Sequence, residues 1–267
     1  MNKTDAQTLS KNSLDALAAQ LEAGKSDALT RFLSTAAKFH SYSWGNVLMI
    51  AAQRPDATRV AGVRTWNQLG RFVKKGEKGI AIFAPMTFKK DEGTIEGDDR
   101  PRVSFRVVHV FDVSQTDGKS LPEPEEVKGD PTKHLEDLKR AVTSRGIRLE
   151  YSDSLGTAYG QSLKGTIQLA PNLSPAMEYS VLAHELAHEL IHTDREGLDS
   201  KRAELEAEAV AFVLTEYARL EAGTAHSDYI QLYDGNKDAL TESLSVIQKT
   251  AAEIIGAMSE EPQALAA

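Results

Sequence analysis

Two histidines four residues apart, with a glutamate beside the first, carry the clearest chemistry in this chain. They are His184, Glu185 and His188, within Val181-Leu-Ala-His-Glu-Leu-Ala-His-Glu-Leu-Ile-His192. On a helix, positions i and i+4 lie about 40° apart and one turn up, so two imidazoles converge on one point. Glu185 lies about 100° round, within reach of a water at that point. Leu182, Ala183, Leu186, Ala187, Leu190 and Ile191 fall on the other side and supply a face to bury. The pattern His-Glu-x-x-His in this setting is that of a zinc hydrolase, with two imidazole ligands and one general base. The alternative is a solvated helix with two satisfied histidines, and the apolar flanks argue against it.

A third ligand is expected in Glu204-Leu-Glu206-Ala-Glu208. Helical residues turn by about 100° each, so Glu206 and Glu208 are about 200° apart and cannot share a face. Glu206 falls on an apolar stripe with Ala209, Val210, Val213 and Tyr217, whereas Glu208 lies nearer Glu204, Ala211 and Thr215. A carboxylate on a buried face is costly unless it is paired or binds a metal. Glu206 is therefore the expected third ligand, Glu208 the fallback, and Glu204 part of a solvated face. His192 is two turns beyond His184, about 12 Å along the axis. Three-histidine zincins use a glycine turn to bring their third histidine back, and Glu189-Leu190-Ile191 has none. His192 is read as a supporting or helix-end residue. Tyr179, Tyr217 and His192 are the candidates to stabilise an oxyanion.

The 267 residues are enough for two domains, and 41% hydrophobic content can build real cores. No run of 18 apolar residues exists, the N-terminus has no apolar signal segment, and there are no cysteines. A cytoplasmic protein without disulfides or thiolate metal sites is expected. The net charge of −8 is unevenly spread: residues 1–120 hold 18 basic against 13 acidic side chains, and residues 121–267 hold 13 against 26. Within 38–90 the balance is 10 against 2. Such a split suggests that one half meets a polyanion.

Hydrophobic spacing predicts helices over 5–39, a short apolar helix from Val47 to Gln53, and another around Trp66 ending near Gly70. Lys74-Lys75-Gly76-Glu77-Lys78-Gly79 reads as a turn opening a strand at Ile80–Pro85, and Phe105–Val113 alternates like a strand. The acidic stretch 91–99 reads as a mobile loop. Three prolines and a charge run mark 121–131 as a linker. Beyond it come a helix over 132–144, strands at 147–151, 158–160 and 165–169, the His-Glu-x-x-His helix, the Glu206 helix, and one or two closing helices over 228–257. These elements make a two-domain α+β protein. The expected limits are 1–120 for a domain with a small, mainly antiparallel sheet, 132–258 for a zincin-like domain, and a disordered tail at 259–267.

Both halves resemble one family. Ser43-Trp44-Gly45-Asn46, Gln53-Arg54-Pro55, Trp66 with Gly70-Arg71, Val73 through Ile80, and Val110 through Thr116 resemble the ArdC-type single-stranded-DNA-binding domain of plasmid antirestriction proteins. The His184–His188 motif, Glu206 before Ala207, and Tyr229-Ile230 resemble the zinc metallopeptidase domain that accompanies it, related to the IrrE/ImmA type. By that analogy Glu206 is again the third ligand. The resemblance implies single-stranded DNA as partner, with Arg64, Arg71, Lys74, Lys75 and Lys78 on phosphates and Trp44 or Trp66 stacking on bases. Read by composition alone, Trp44, Trp66 and Phe72 could equally be core, and the lysine run a solvated turn. The implied function is protection of incoming plasmid DNA from restriction, with a zinc peptidase fold attached. The alternatives are a regulatory metalloprotease that cleaves a DNA-bound repressor, and a DNA-binding protein whose metal is purely structural.

Overall fold

The computed structural model describes residues 1–24, 27–87, 103–120, 131–156, 158–193, 199–220 and 236–259. The expected linker up to residue 130, the acidic loop 91–99, the Tyr229-Ile230 segment and the tail beyond Ser259 lie outside the described residues. The chain divides into two compact units, one of residues 1–16 and 45–123, the other of 17–44 and 124–267.

In chain order the N-terminal half runs α1 (Lys3–Glu22), α2 (Asp27–Lys38), α3 (Trp44–Gln53), β1 (Val60–Ala61), α4 (Val63–Gln68), β2 (Arg71–Val73), β3 (Ile80–Thr87), β4 (Val103–Asp112) and β5 (Thr116–Gly118). In the first unit β3 and β4 form a long antiparallel pair, from Ile80 opposite Val110 to Thr87 opposite Val103. β1 pairs with the other side of β4, giving the order β1-β4-β3. Ala6, Met49 and Ala81 are buried together, with Leu9, Phe83 and Val107 packed against them. The outer edge of β3 is closed by two carboxamides from α3. Asn46 takes the N–H and C=O of Phe83, and Gln53 takes those of Ala81, all at 2.9–3.0 Å. Asn46 and Gln53 are seven residues apart, so they share one helix face.

β2 and β5 form a separate two-stranded ribbon, which the sequence reading missed because three residues carry no periodicity. Gly118 makes it possible: its φ is +135°, and a Cβ there would meet the Gly70 carbonyl oxygen at 2.3 Å.

The second unit contains α5 (Pro131–Thr143), β6 (Arg148–Tyr151), β7 (Gly160–Ser162), β8 (Thr166–Leu169), α6 (Pro175–Ile191), α7 (Ser200–Tyr217) and α8 (Lys237–Ser259). β8 is central, parallel to β6 and antiparallel to β7. The strand expected at 158–160 thus lies two residues later. α6 begins where Ser174 caps the Met177 N–H and Pro175 occupies the first turn, a position where its missing donor costs nothing. One flank of α6 faces β7 and β8, and α5, α7 and α8 pack around the rest. Tyr179, Leu182, Leu186, Val210, Val213, Leu244 and Ile247 are all buried.

The sequence limits put residues 17–44 with the N-terminal domain, but here they belong to the second unit. α2 lies against α7. The carbonyls after its end, of Phe39, His40 and Tyr42, are taken up by Gln248 Nε2 on α8.

Asp112 is the buried anion of the first unit. Its carboxylate accepts from the N–H groups of Thr58, Arg59 and Ser114 and from Ser114 Oγ, at 2.6–3.0 Å. Burial alone would raise its pKa, but these four bonds together outweigh it and hold the carboxyl below its usual range. A carboxylate depressed on folding stabilises the protein above the unfolded pKa of about 3.9, and that gain is lost as pH falls through the lower folded value. Asp112→Asn should cost about 2–3 kcal/mol near neutral pH, since an amide turns a donor toward groups that are already donors. Urea unfolding followed against pH should show the wild-type advantage shrinking below about pH 4.

Candidate metal centre

His184 and His188 project from α6 toward one point, with their Nε2 atoms 3.0 Å apart. The third group there is Glu204, not Glu206. Glu204 Oε2 lies 3.4 Å from His184 Nε2, and Oε1 lies 3.5 Å from His188 Nε2. Tetrahedral zinc with ligands at about 2.0–2.2 Å sets donor atoms roughly 3.3 Å apart, so these three side chains fit one ion. Burial pushes the pKa of His184 down, and burial followed by the charge of His184 pushes His188 down to about 4. Both shifts favour the neutral imidazole, the form that donates to a metal.

Glu206, the expected ligand, stands apart from that cluster. Its carboxylate is fully buried, as its place on the apolar stripe required, and a cation pairs it. Arg202 Nε donates to Oε1 at 3.0 Å, and Ser243 Oγ donates to the same oxygen at 2.6 Å. The legible signal was Arg202, four residues before Glu206 and thus one turn away. With Glu206 turned into the core, Glu204 about 200° round the helix is turned out. Glu208, the fallback, is not part of the donor cluster.

Glu185 lies beside the histidines, 8% exposed. Burial, reinforced by the nearby charges of Glu204 and Glu189, pushes its carboxyl up to about 7, against the pull of a hydrogen bond from the Ser162 backbone. A base with that pKa is matched to proton transfer near neutrality. β7 can run this close only because residue 160 is glycine. A Cβ there would meet Val181 Cγ1 at 2.6 Å and Glu185 Cγ at 2.8 Å. Glu189 ties the same hairpin to α6, accepting from Ser162 Oγ at 2.6 Å and from the Gly165 N–H at 2.8 Å. The result is an open cleft of about 540 Å³ along β7, with the two histidines, Glu185 and Glu204 in its wall.

Of the three oxyanion candidates, His192 alone lines the cleft. Tyr179 is buried and donates to the Leu214 carbonyl. Tyr217 packs its ring against those of His40 and His134. His192 lies in the cleft wall, and its ring nitrogens face His188 and Glu206. It also caps the end of α6, its N–H bonding to the His188 carbonyl, so the helix-end reading holds.

The residues read as nucleic-acid contacts separate into two groups. Trp66 is 1% exposed and its Nε1–H donates to the Phe111 carbonyl, so this ring is core. Arg71 spends its guanidinium on Thr116 Oγ1 and the carbonyls of Thr116 and Lys119. Lys74 bonds the Ser114 carbonyl and pairs with Asp117. Arg64, Lys75 and Lys78 are exposed, and Trp44 is half-buried. Phe72, a ring that by composition alone could be core, is 60% exposed on β2. One feature was missed. A cleft of about 520 Å³ brings Arg54 together with Lys75 and Lys78; its signal was the Gln53-Arg54-Pro55 motif, whose arginine was not weighed as a contact.

Glu204→Ala should strip the centre of metal, with an affinity loss greater than the roughly 10–100-fold typical of a supporting residue, while Glu208→Ala should retain it. Elemental analysis after dialysis tests this; metal kept in Glu204→Ala and lost in Glu208→Ala would move the third ligand to Glu208.

Residues 7–113 match the N-terminal domain of anti-restriction factor ArdC, and residues 136–252 match the IrrE N-terminal-like domain of the M78 peptidase family. Comparison with curated proteins found no similar chain. Among solved structures, the chain is similar to the metal-free antirestriction protein ArdC from plasmid R388, with 23% identity, a TM-score of 0.58, and 94% of this chain covering 98% of that one. The Mn(II)-bound form of the same protein matches with 21% identity and a TM-score of 0.57, over 95% and 99% of the two chains. At such identities the likeness speaks for the fold. Among the described residues no helix is long and apolar enough to cross a membrane. The chain thus joins a domain that matches the ArdC N-terminal domain to one that matches the IrrE-like, M78-type peptidase domain, on a fold similar to that of ArdC.

Proposed function

We propose that this protein binds single-stranded DNA through its first unit, carries a zinc peptidase centre in its second, and protects incoming plasmid DNA from restriction. The observation that carries the catalytic part is the convergence of His184, His188 and Glu204 on one point, with the nearly buried Glu185 beside it. Zinc held by these three residues would supply Lewis-acid polarisation of a carbonyl and activation of a water. Glu185 takes the proton of the attacking water and passes it to the leaving amine. β7 has β8 as its strand partner on one side, and the cleft opens along Gly160, Gln161 and Ser162. An extended polypeptide pairing with that edge is the substrate class this favours over a compact small molecule.

The DNA part is supported by the basic excess of residues 38–90 and by the grouping of Arg54, Lys75 and Lys78 near one cleft. Lys75 and Lys78 make no side-chain hydrogen bond or ion pair among the described residues, so their charges are available to phosphates. Phe72 replaces Trp66 as the ring able to stack. Lys74 and Arg64 complete the phosphate contacts.

Fluorescence anisotropy with a labelled oligonucleotide tests the binding. Lys75→Ala/Lys78→Ala should reduce the slope of log affinity against log salt by about 1.4, at roughly 0.7 per phosphate on single strands. Phe72→Ala should weaken binding by about 1–3 kcal/mol. An unchanged slope would remove this face from the DNA path. For the second unit, Glu185→Ala should keep the metal, keep DNA binding, and lower peptide hydrolysis by about 10²–10⁴-fold. Restriction protection in cells carrying wild type or Glu185→Ala then decides whether hydrolysis belongs to the antirestriction role.

A further inference from the structure

An unbroken line of polar groups runs from His188 away from the cleft to helix α8. His188 Nδ1 lies 2.9 Å from His192 Nδ1, and His192 Nε2 lies 3.3 Å from Glu206 Oε2. The other oxygen of Glu206 is held by Arg202 Nε and Ser243 Oγ. Arg202 continues to Glu242 at 3.0 Å. We propose that His192 and Glu206 are positioning residues for the metal ligand His188, fixing both its tautomer and the direction of its lone pair.

The argument is one of donors and acceptors, and it rests on the metal-centre reading above. An ionised carboxylate only accepts, so the His192 nitrogen facing Glu206 must carry the hydrogen. In the neutral imidazole that N–H is the one it has, and His192 Nδ1 is then an acceptor. The short contact between the two Nδ1 atoms then needs its hydrogen on His188. That leaves His188 Nε2 with a bare lone pair, directed at the point it shares with His184 and Glu204. The buried anion thus sets the ligand's state from two hydrogen bonds away. His192 is itself well fixed, with its ring 11% exposed and its backbone ending α6. Carboxylates that orient a ligating histidine usually act directly; here a second imidazole stands between.

Two measurements test the relay. In Zn(II)-loaded wild-type protein with ¹⁵N-labelled histidine, long-range ¹⁵N–¹H spectra should show His192 as the Nε2–H tautomer, and the Nδ1–H form would overturn the inference without any mutation. Chelator competition should show His192→Phe binding Zn(II) about 10–100-fold more weakly than wild type, with the unfolding temperature of the metal-free protein within a few degrees. Phe keeps the volume and leaves Glu206 its bonds to Arg202 and Ser243, so a role in packing alone predicts no loss. Glu206→Gln, equal in size, should also weaken binding. Wild-type protein that takes up no Zn(II) would overturn the metal centre, and this inference with it. Wild type that binds, with His192→Phe equal to it, would overturn the inference alone.

Discussion

A carboxylate with no exposure to solvent has to be neutralised where it stands, and in the second unit that demand falls on Glu206. Leaving such a charge unpaired costs several kcal/mol. Arg202 from the same helix, Ser243 from α8 and His192 from the end of α6 all turn toward it. Three helices are thereby fixed around one anion. Its burial also decides which face of α7 points outward, and so brings Glu204 to the histidine pair. The chemistry of the cleft follows from a charge that takes no part in it.

How far the sequence disclosed this depends on the length over which each signal acts. The His-Glu-x-x-His helix was legible because ligands and core face both repeat within one helix, and α6 runs through Pro175–Ile191 as that pattern requires. The antiparallel pairing of β3 and β4 was legible from alternation. Glu206 was placed on a buried face, and the structure pairs its carboxylate with Arg202, one turn before it. Nothing local announces β2, β5 or the allegiance of residues 17–44. The first two are three residues long, and the last depends on α7 and on Gln248, far along the chain.

The motif residues of the first unit divide between architecture and exposed charge. Asn46, Gln53, Trp66, Arg71 and Asp112 are occupied by backbone partners within the unit. Lys75, Lys78 and Phe72 are left outward, on elements those bonds hold rigid. A family signature read as a set of ligand contacts would overcount them here.

The two carboxamides on β3 act as a ruler for strand register. Along an edge strand every second residue turns its N–H and C=O outward, so Ala81 and Phe83 are read by Gln53 and Asn46, and the next residue of that parity is Pro85, which has no N–H to offer. A slip of one residue would face both amides with residues whose N–H and C=O turn inward to β4. A slip of two toward Pro85 would leave one amide oxygen without a donor. Only one alignment satisfies all four bonds, and in that alignment the edge is already spoken for. From Ala81 to Pro85 a stray strand from another molecule would find no complete pair of groups to continue the sheet.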